Sequence, residues 1–144
     1  MSTTASLNPK IVGQAENAHE AVLARALATT CITKQQWIAL TLAATAEVPL
    51  SAGTLSGRLT SALRAAEPAV VHRILDDLVT GGMLTTEHTV TLAGQELFAR
   101  VRAETGQVIA RAYADIPADD LQTAARVLQL VTDRLDQESA RAGV

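Results

Sequence analysis

The segment from Leu50 to Phe98 constrains the fold more than any other part of this chain. Ser51 stands where a hydroxyl can cap a helix, and Leu55, Leu59 and Leu63 follow at four-residue intervals. Glu67-Pro68 marks a second start, because proline suits the first helical turn and a carboxylate favours the positive helix end. Val70, Val71, Ile74, Leu75 and Leu78 give this second helix one apolar face, with Arg73, Asp77 and Thr80 elsewhere. Gly81-Gly82 ends it, since glycine tolerates the left-handed backbone of a C-cap. Met83-Leu84-Thr85 and Thr89-Val90-Thr91-Leu92 are the only runs with strand character, joined by a tight polar turn. Such a hairpin is not stable alone and must lean on the helices before it. A long helix then opens at Leu92-Ala93-Gly94.

Two short helices, a glycine stop, a minimal hairpin and a long helix predict a winged helix-turn-helix, with a lobe spanning residues 33–92. Its flanks read as helical too. From Pro9, Ile11, Ala15, Ala18, Val22 and Ala26 recur at helical spacing, and this helix is expected to end near Thr29-Thr30. Thr33 is placed to cap a helix carrying Trp37, Leu40, Thr41 and Ala44, with Gln36 at the reciprocal position. Val48-Pro49 bars its continuation. The long helix should run from about Ala93 to Asp115, and Ile116-Pro117 interrupts it. A last helix starts near Ala118-Asp119-Asp120, passes through Leu121, Ala125, Leu128, Val131 and Leu135, and frays over Gln137-Glu138-Ser139-Ala140. The expected class is mainly α, with a small β-hairpin wing and long N- and C-terminal dimerisation helices. Residues 1–32 and 93–144 form the dimerisation region in this reading, because their apolar lines exceed what a small lobe can cover and a symmetric second copy is the natural partner.

Composition limits the functions such a chain can serve. Of 144 residues, 48% are hydrophobic and only 2% aromatic, so its cores must be built from aliphatic ridges. The net charge is −3 and the pI about 5.5, which argues against avid, sequence-independent DNA binding. Residues 51–100 hold Arg58, Arg64, Arg73 and Arg100 against Glu67, Asp76, Asp77, Glu87 and Glu96, and the turn Thr85-Thr86-Glu87-His88-Thr89 has no lysine or arginine. Cys31 is the only cysteine, which excludes an internal disulfide. The opening residues are small and polar, expected to be loose, and lack a secretory pattern; no apolar run is long enough to cross a bilayer. A soluble cytoplasmic protein is expected.

Gln36-Trp37-Ile38-Ala39-Leu40, Val70 through Val79, Gly81-Gly82-Met83-Leu84 and Val90-Thr91-Leu92-Ala93-Gly94, in that order and between long helices, resemble the MarR family of bacterial transcriptional regulators. The resemblance covers about Ile11 to Leu135. It implies a homodimer with a winged helix-turn-helix in each subunit, double-stranded operator DNA as partner, and a small aromatic or phenolic effector held between the DNA-binding lobe and the dimer helices. Arg73 matches the family's common arginine on the recognition helix. The chain departs from the family in a longer connection from Leu59 to Val70 and in a short wing without the Asp-x-Arg element.

With that geometry, the helix from Pro68 enters the major groove with its N-terminal half. Arg73 is positioned for a guanine edge or a phosphate, Arg58 and Arg64 for the backbone, His72 for either, and His88 sits on the wing. The competing reading is that these are ordinary solvated side chains; for Arg73 the functional reading is preferred. His19, Trp37 and Tyr113 are the candidates for the effector pocket, against a core histidine, a packing tryptophan and a tyrosine at a dimer seam. Packing is preferred for Trp37, and the other two stay open. Cys31 reads as a small buried filler rather than a reactive thiol. The histidines are too dispersed for a metal site, and no nucleophile elbow or phosphate loop occurs, so no metal, cofactor or catalytic residue is expected. Two functions remain: a dimeric, ligand-responsive regulator on operator DNA, or a related scaffold that has lost DNA binding and holds or transforms a small molecule.

Overall fold

The computed structural model describes residues 5–143 and contains six helices among them. The expected looseness of the first residues falls, for residues 1–4, outside that range. The helices are α1 (Pro9–Leu27), α2 (Lys34–Ala44), α3 (Ala52–Ala62), α4 (Pro68–Thr80), α5 (Leu92–Tyr113) and α6 (Ala118–Ala142). Among the described residues no helix is long and apolar enough to cross a membrane. Contacts divide the chain into one compact unit over Met1–Val108 and a second over Ile109–Val144.

Local chemistry sets most boundaries. Asn8 caps α1 through its carboxamide oxygen, and the Thr29 and Thr30 hydroxyls donate to the Ala26 and Leu27 carbonyls. Those bonds occupy the last carbonyls and close the helix at Leu27, two residues earlier than periodicity suggested. Thr33 and Gln36 form the full capping box at α2. Ser51 accepts from the Thr54 amide to start α3. Glu67 makes no side-chain cap, so α4 relies on Pro68 and on the Glu67 carbonyl, which accepts from the Val70 and Val71 amides. At the other end of α4, the Met83 amide reaches the Leu78 carbonyl and the Gly82 amide that of Val79, with Gly82 at φ +81°. This is a Schellman stop in which the second glycine, not the first, takes the left-handed conformation.

The hairpin is smaller than its sequence suggests. Among the described residues only Leu84 and Val90 pair as an antiparallel bridge, instead of two strands over residues 83–85 and 89–92. Thr85 accepts from the His88 amide and donates to the Thr89 carbonyl, so the turn closes after three residues with His88 at φ 64°. Three-residue loops of this kind place a left-handed residue at the bulge. Leu92, read as strand, is already helical: Thr91 caps α5 by accepting from the Gly94 amide, which cuts the second arm short. Too few residues remain on either side for a ladder. At the far end, α6 continues through the segment expected to fray, as far as Ala142.

Leu40, Leu55, Leu59, Val71, Ile74, Leu75, Leu78 and Leu84 form the main core. It joins α2, α3 and α4 to the base of the wing. A smaller cluster of Ala26, Leu27 and Val101 ties the end of α1 to α5, and Ile32, Trp37 and Leu97 bridge the two clusters. Cys31 is exposed, which corrects its reading as a buried filler. Its neighbour Ile32 takes the inward position, packed against both core clusters.

The candidate recognition helix and its surroundings

On α4 the buried row is Val71, Ile74, Leu75 and Leu78. At 3.6 residues per turn the line opposite that row carries Ala69, Arg73, Asp76 and Thr80, all exposed. His72 lies to one side of this line and Val70 and Asp77 to the other; all three are exposed as well. The helix is therefore held by its aliphatic face and presents a mostly polar face to solvent, interrupted by Ala69 and Val70. Pro68, Ala69, His72, Arg73, Asp76 and Asp77 edge a wide, open depression there.

Each proposed DNA contact can be placed on this lobe. Arg73 is exposed near the middle of α4, and Arg58 is exposed on α3. Arg64 occupies the α3–α4 connection with φ 56°, and Ala65 follows with φ 61°. The Ala65 amide bonds the Thr60 carbonyl and the Arg64 amide that of Ser61, the same Schellman pattern that ends α4. The longer connection noted in the sequence is thus an ordered helix stop without glycine. His72 is exposed, whereas His88 is not the free wing-tip side chain its sequence position implied. It is half-buried, with Nδ1 shielded from solvent and unpaired, and it turns back toward α3 and α4. Ala52, Gly53, Ser56, His72, Leu75, Asp76 and His88 line an open-sided cavity of about 230 Å³.

The three pocket candidates do not behave alike. Trp37 stacks on Phe98 with ring centroids 5.4 Å apart and planes at 22°, and Arg102 lies over the other ring at 5.5 Å from the Phe98 centroid. This places Trp37 in the packing between α2 and α5, the preferred reading of that residue. His19 is exposed on α1, its Nδ1 2.7 Å from the Ala15 carbonyl of its own helix. Tyr113 belongs to the second unit and is 37% exposed. The groove beside α1 is lined by other residues, Glu20, Leu23, Ala24, Leu27, Ala28, Ile32 and Lys34, around about 340 Å³. Lys34 pairs with Glu20 at its rim. Nothing local signals that pair, whose partners are fourteen residues apart and meet only when α2 folds back on α1.

One further feature escaped the sequence reading. Gln36 caps α2 and also donates from Nε2 to Asp77 Oδ2 at 3.5 Å, so one amide links the start of α2 to the flank of α4. Its capping role was legible; its reach across to α4 was not. No set of three or more histidine, cysteine or acidic side chains among the described residues could hold a metal ion.

No family model matches this sequence, nor does any curated protein. Solved structures do resemble it. The MarR family protein Rv2887 of Mycobacterium tuberculosis, in complex with DNA, superposes with a TM-score of 0.66 at 19% identity, over 88% of this chain and 98% of that one. Its complex with salicylic acid gives 0.63 at 20% identity, over 88% and 99%. CouR from Rhodococcus jostii, bound to p-coumaroyl-CoA, gives 0.67 at 15% identity, over 84% and 88%. The chain therefore has the mainly helical fold of the MarR family regulators.

Proposed function

We propose that this chain is a ligand-responsive transcriptional regulator of the MarR type, acting as a homodimer that binds operator DNA through α4. The observation that carries the reading is the exposed row Ala69–Arg73–Asp76–Thr80, held by a rigid aliphatic core in a fold shared with a regulator solved on DNA. Arg73 supplies the row's fork of donors, suited to a guanine edge. Arg58 and Arg64 supply phosphate contacts, and His72 borders the same surface. Arg73→Ala should weaken binding by about 1–3 kcal/mol if Arg73 reads a base.

The dimer is supported by apolar surface that one chain leaves uncovered. On α6, Leu128, Val131 and Leu135 share a face, and Leu135 is 60% exposed. On α1 only Ala26 and Leu27 are buried. Two recognition helices in such a dimer must match half-sites roughly 34 Å apart, so a ligand that prefers one dimer shape shifts DNA affinity. Small aromatic acids or phenols are the proposed effectors; structural relatives are solved with salicylic acid and with p-coumaroyl-CoA. The groove beside α1 offers such a molecule an apolar lining of Leu23, Leu27 and Ile32 and, at its edge, the Lys34 ammonium, which an acid would share with Glu20. No catalytic role is proposed, and the localisation proposed is cytoplasmic.

A gel-shift titration at low salt, using the protein's own upstream region, tests this reading. Retardation below micromolar dimer, relieved by an aromatic acid such as salicylate and weakened in Arg73→Ala, is the expected result. No retardation, with an aromatic ligand still bound, would favour the second reading: a scaffold of this fold that has lost DNA binding. What favours that alternative is the acidic balance of residues 51–100 and a wing turn without lysine or arginine.

A further inference from the structure

The exposed row of α4 carries a feature that phosphate binding does not explain. Its central positions are one arginine and one aspartate three residues apart, with a second aspartate, Asp77, on the flank. At that spacing their Cβ atoms lie about 5–6 Å apart on neighbouring turns. Successive base pairs are about 3.4 Å apart, so two such side chains address the same or adjacent pairs. A carboxylate at the centre of a groove-facing surface is repelled by the phosphates and needs a donor.

The major groove offers only two donors, the cytosine N4 and adenine N6 amino groups. Adenine sets its N7 acceptor beside N6, whereas cytosine presents no acceptor on that edge. Guanine O6 and N7 and thymine O4 would leave the carboxylate desolvated against lone pairs. Cytosine is therefore the base that satisfies Asp76. Asp77 has other work: it accepts from Gln36 Nε2 on the side facing α2.

Resting on the DNA-binding reading above, we propose that Arg73 and Asp76 act as a base-reading pair. Arg73 donates to O6 and N7 of a guanine and Asp76 accepts from N4 of a cytosine in the same or the adjacent base pair, so each half-site is selected for a G·C-containing step. Asp76 also works by exclusion, because guanine and thymine leave it unpaired and adenine sets the N7 lone pair beside its one donor. That exclusion suits a lobe with little positive charge, whose discrimination cannot come from phosphate contacts.

The test is selection from a random duplex library by the full-length chain at low salt, followed by titration of single-pair variants of the recovered site. Wild type should recover a site with one position where cytosine is favoured by roughly 10-fold, beside a favoured guanine. Asp76→Asn should reduce the cytosine preference to near parity while retaining or raising overall affinity, since a negative charge leaves the groove. Arg73→Ala should remove the guanine preference, and Asp77→Asn should leave both intact. Circular dichroism melts confirm that each variant folds. An unchanged base profile in Asp76→Asn overturns the pair while leaving DNA binding standing. Recovery of no sequence from the library, with no duplex retained, overturns both.

Discussion

Arg64 and Gly82 occupy the same place at the ends of consecutive helices, and only the glycine is suited to its backbone; Ala65, next to Arg64, is left-handed as well. Both α3 and α4 stop in a Schellman turn, with left-handed residues Arg64 and Ala65 in the first and Gly82 in the second. A Cβ in that region is crowded by the following carbonyl, at a cost of roughly 1–2 kcal/mol, which glycine avoids. Ala65→Gly should therefore stabilise the fold by about 0.5–1 kcal/mol, after the greater freedom of glycine in the unfolded chain offsets part of the gain. A higher urea midpoint at unchanged slope is the expected readout, and a lower midpoint would show that Ala65 is not strained. These residues also illustrate what a sequence hides at this scale. Gly81-Gly82 announces its turn by composition, whereas Leu63-Arg64-Ala65-Ala66 contains no residue that prefers the left-handed region.

Between elements, α5 comes close to the base of the wing at Gly94. A Cβ on Gly94 would stand 2.3 Å from the Met83 carbonyl oxygen and 2.9 Å from Val90 Cγ1. Both belong to the wing arms: the Thr91 amide bonds the Met83 carbonyl, and the Val90 bridge partner, Leu84, is in the core. Adding one methyl must push the wing off α5, because backbone cannot yield as a flexible side chain can. Gly94→Ala should destabilise the protein by about 1–3 kcal/mol, measured by chemical denaturation. An unchanged midpoint would mean that the two elements are less tightly docked. The glycine was legible as part of the Leu92-Ala93-Gly94 opening, but its reason was not. The sequence places it at the start of a helix; the contact that forbids a side chain comes from residues eleven and four positions earlier.

For the molecule as a whole, the long helices carry more apolar surface than their own chain covers. None of the α6 residues is buried, although Leu121, Leu128, Val131 and Leu135 recur on one face. If a second copy covers that face, replacing Leu128 and Leu135 together by glutamate should convert a dimer to monomer in sedimentation-velocity runs. It should also abolish operator retardation, because paired half-sites need paired lobes. A wild-type chain that sediments as a monomer at tens of micromolar would remove the dimer from the reading.

Periodicity, caps and punctuation residues determined the six helices, their order and most of their ends, because these depend on contacts within three or four residues. The exposed face of α4 followed directly, once its aliphatic row was recognised, and so did the place of Arg73 upon it. Tertiary structure alone decided what lies between elements. It reduced the wing to one bridge, drew His88 inward from a turn that looked solvent-exposed, and put Trp37 against Phe98. It also exposed Cys31 by giving the inward position to Ile32, and tied Asp77 to Gln36 while leaving Asp76 facing outward. The physical reason is common to all of these. Which of several similar side chains turns inward depends on the volume left by partners distant in sequence, and no local pattern encodes that volume.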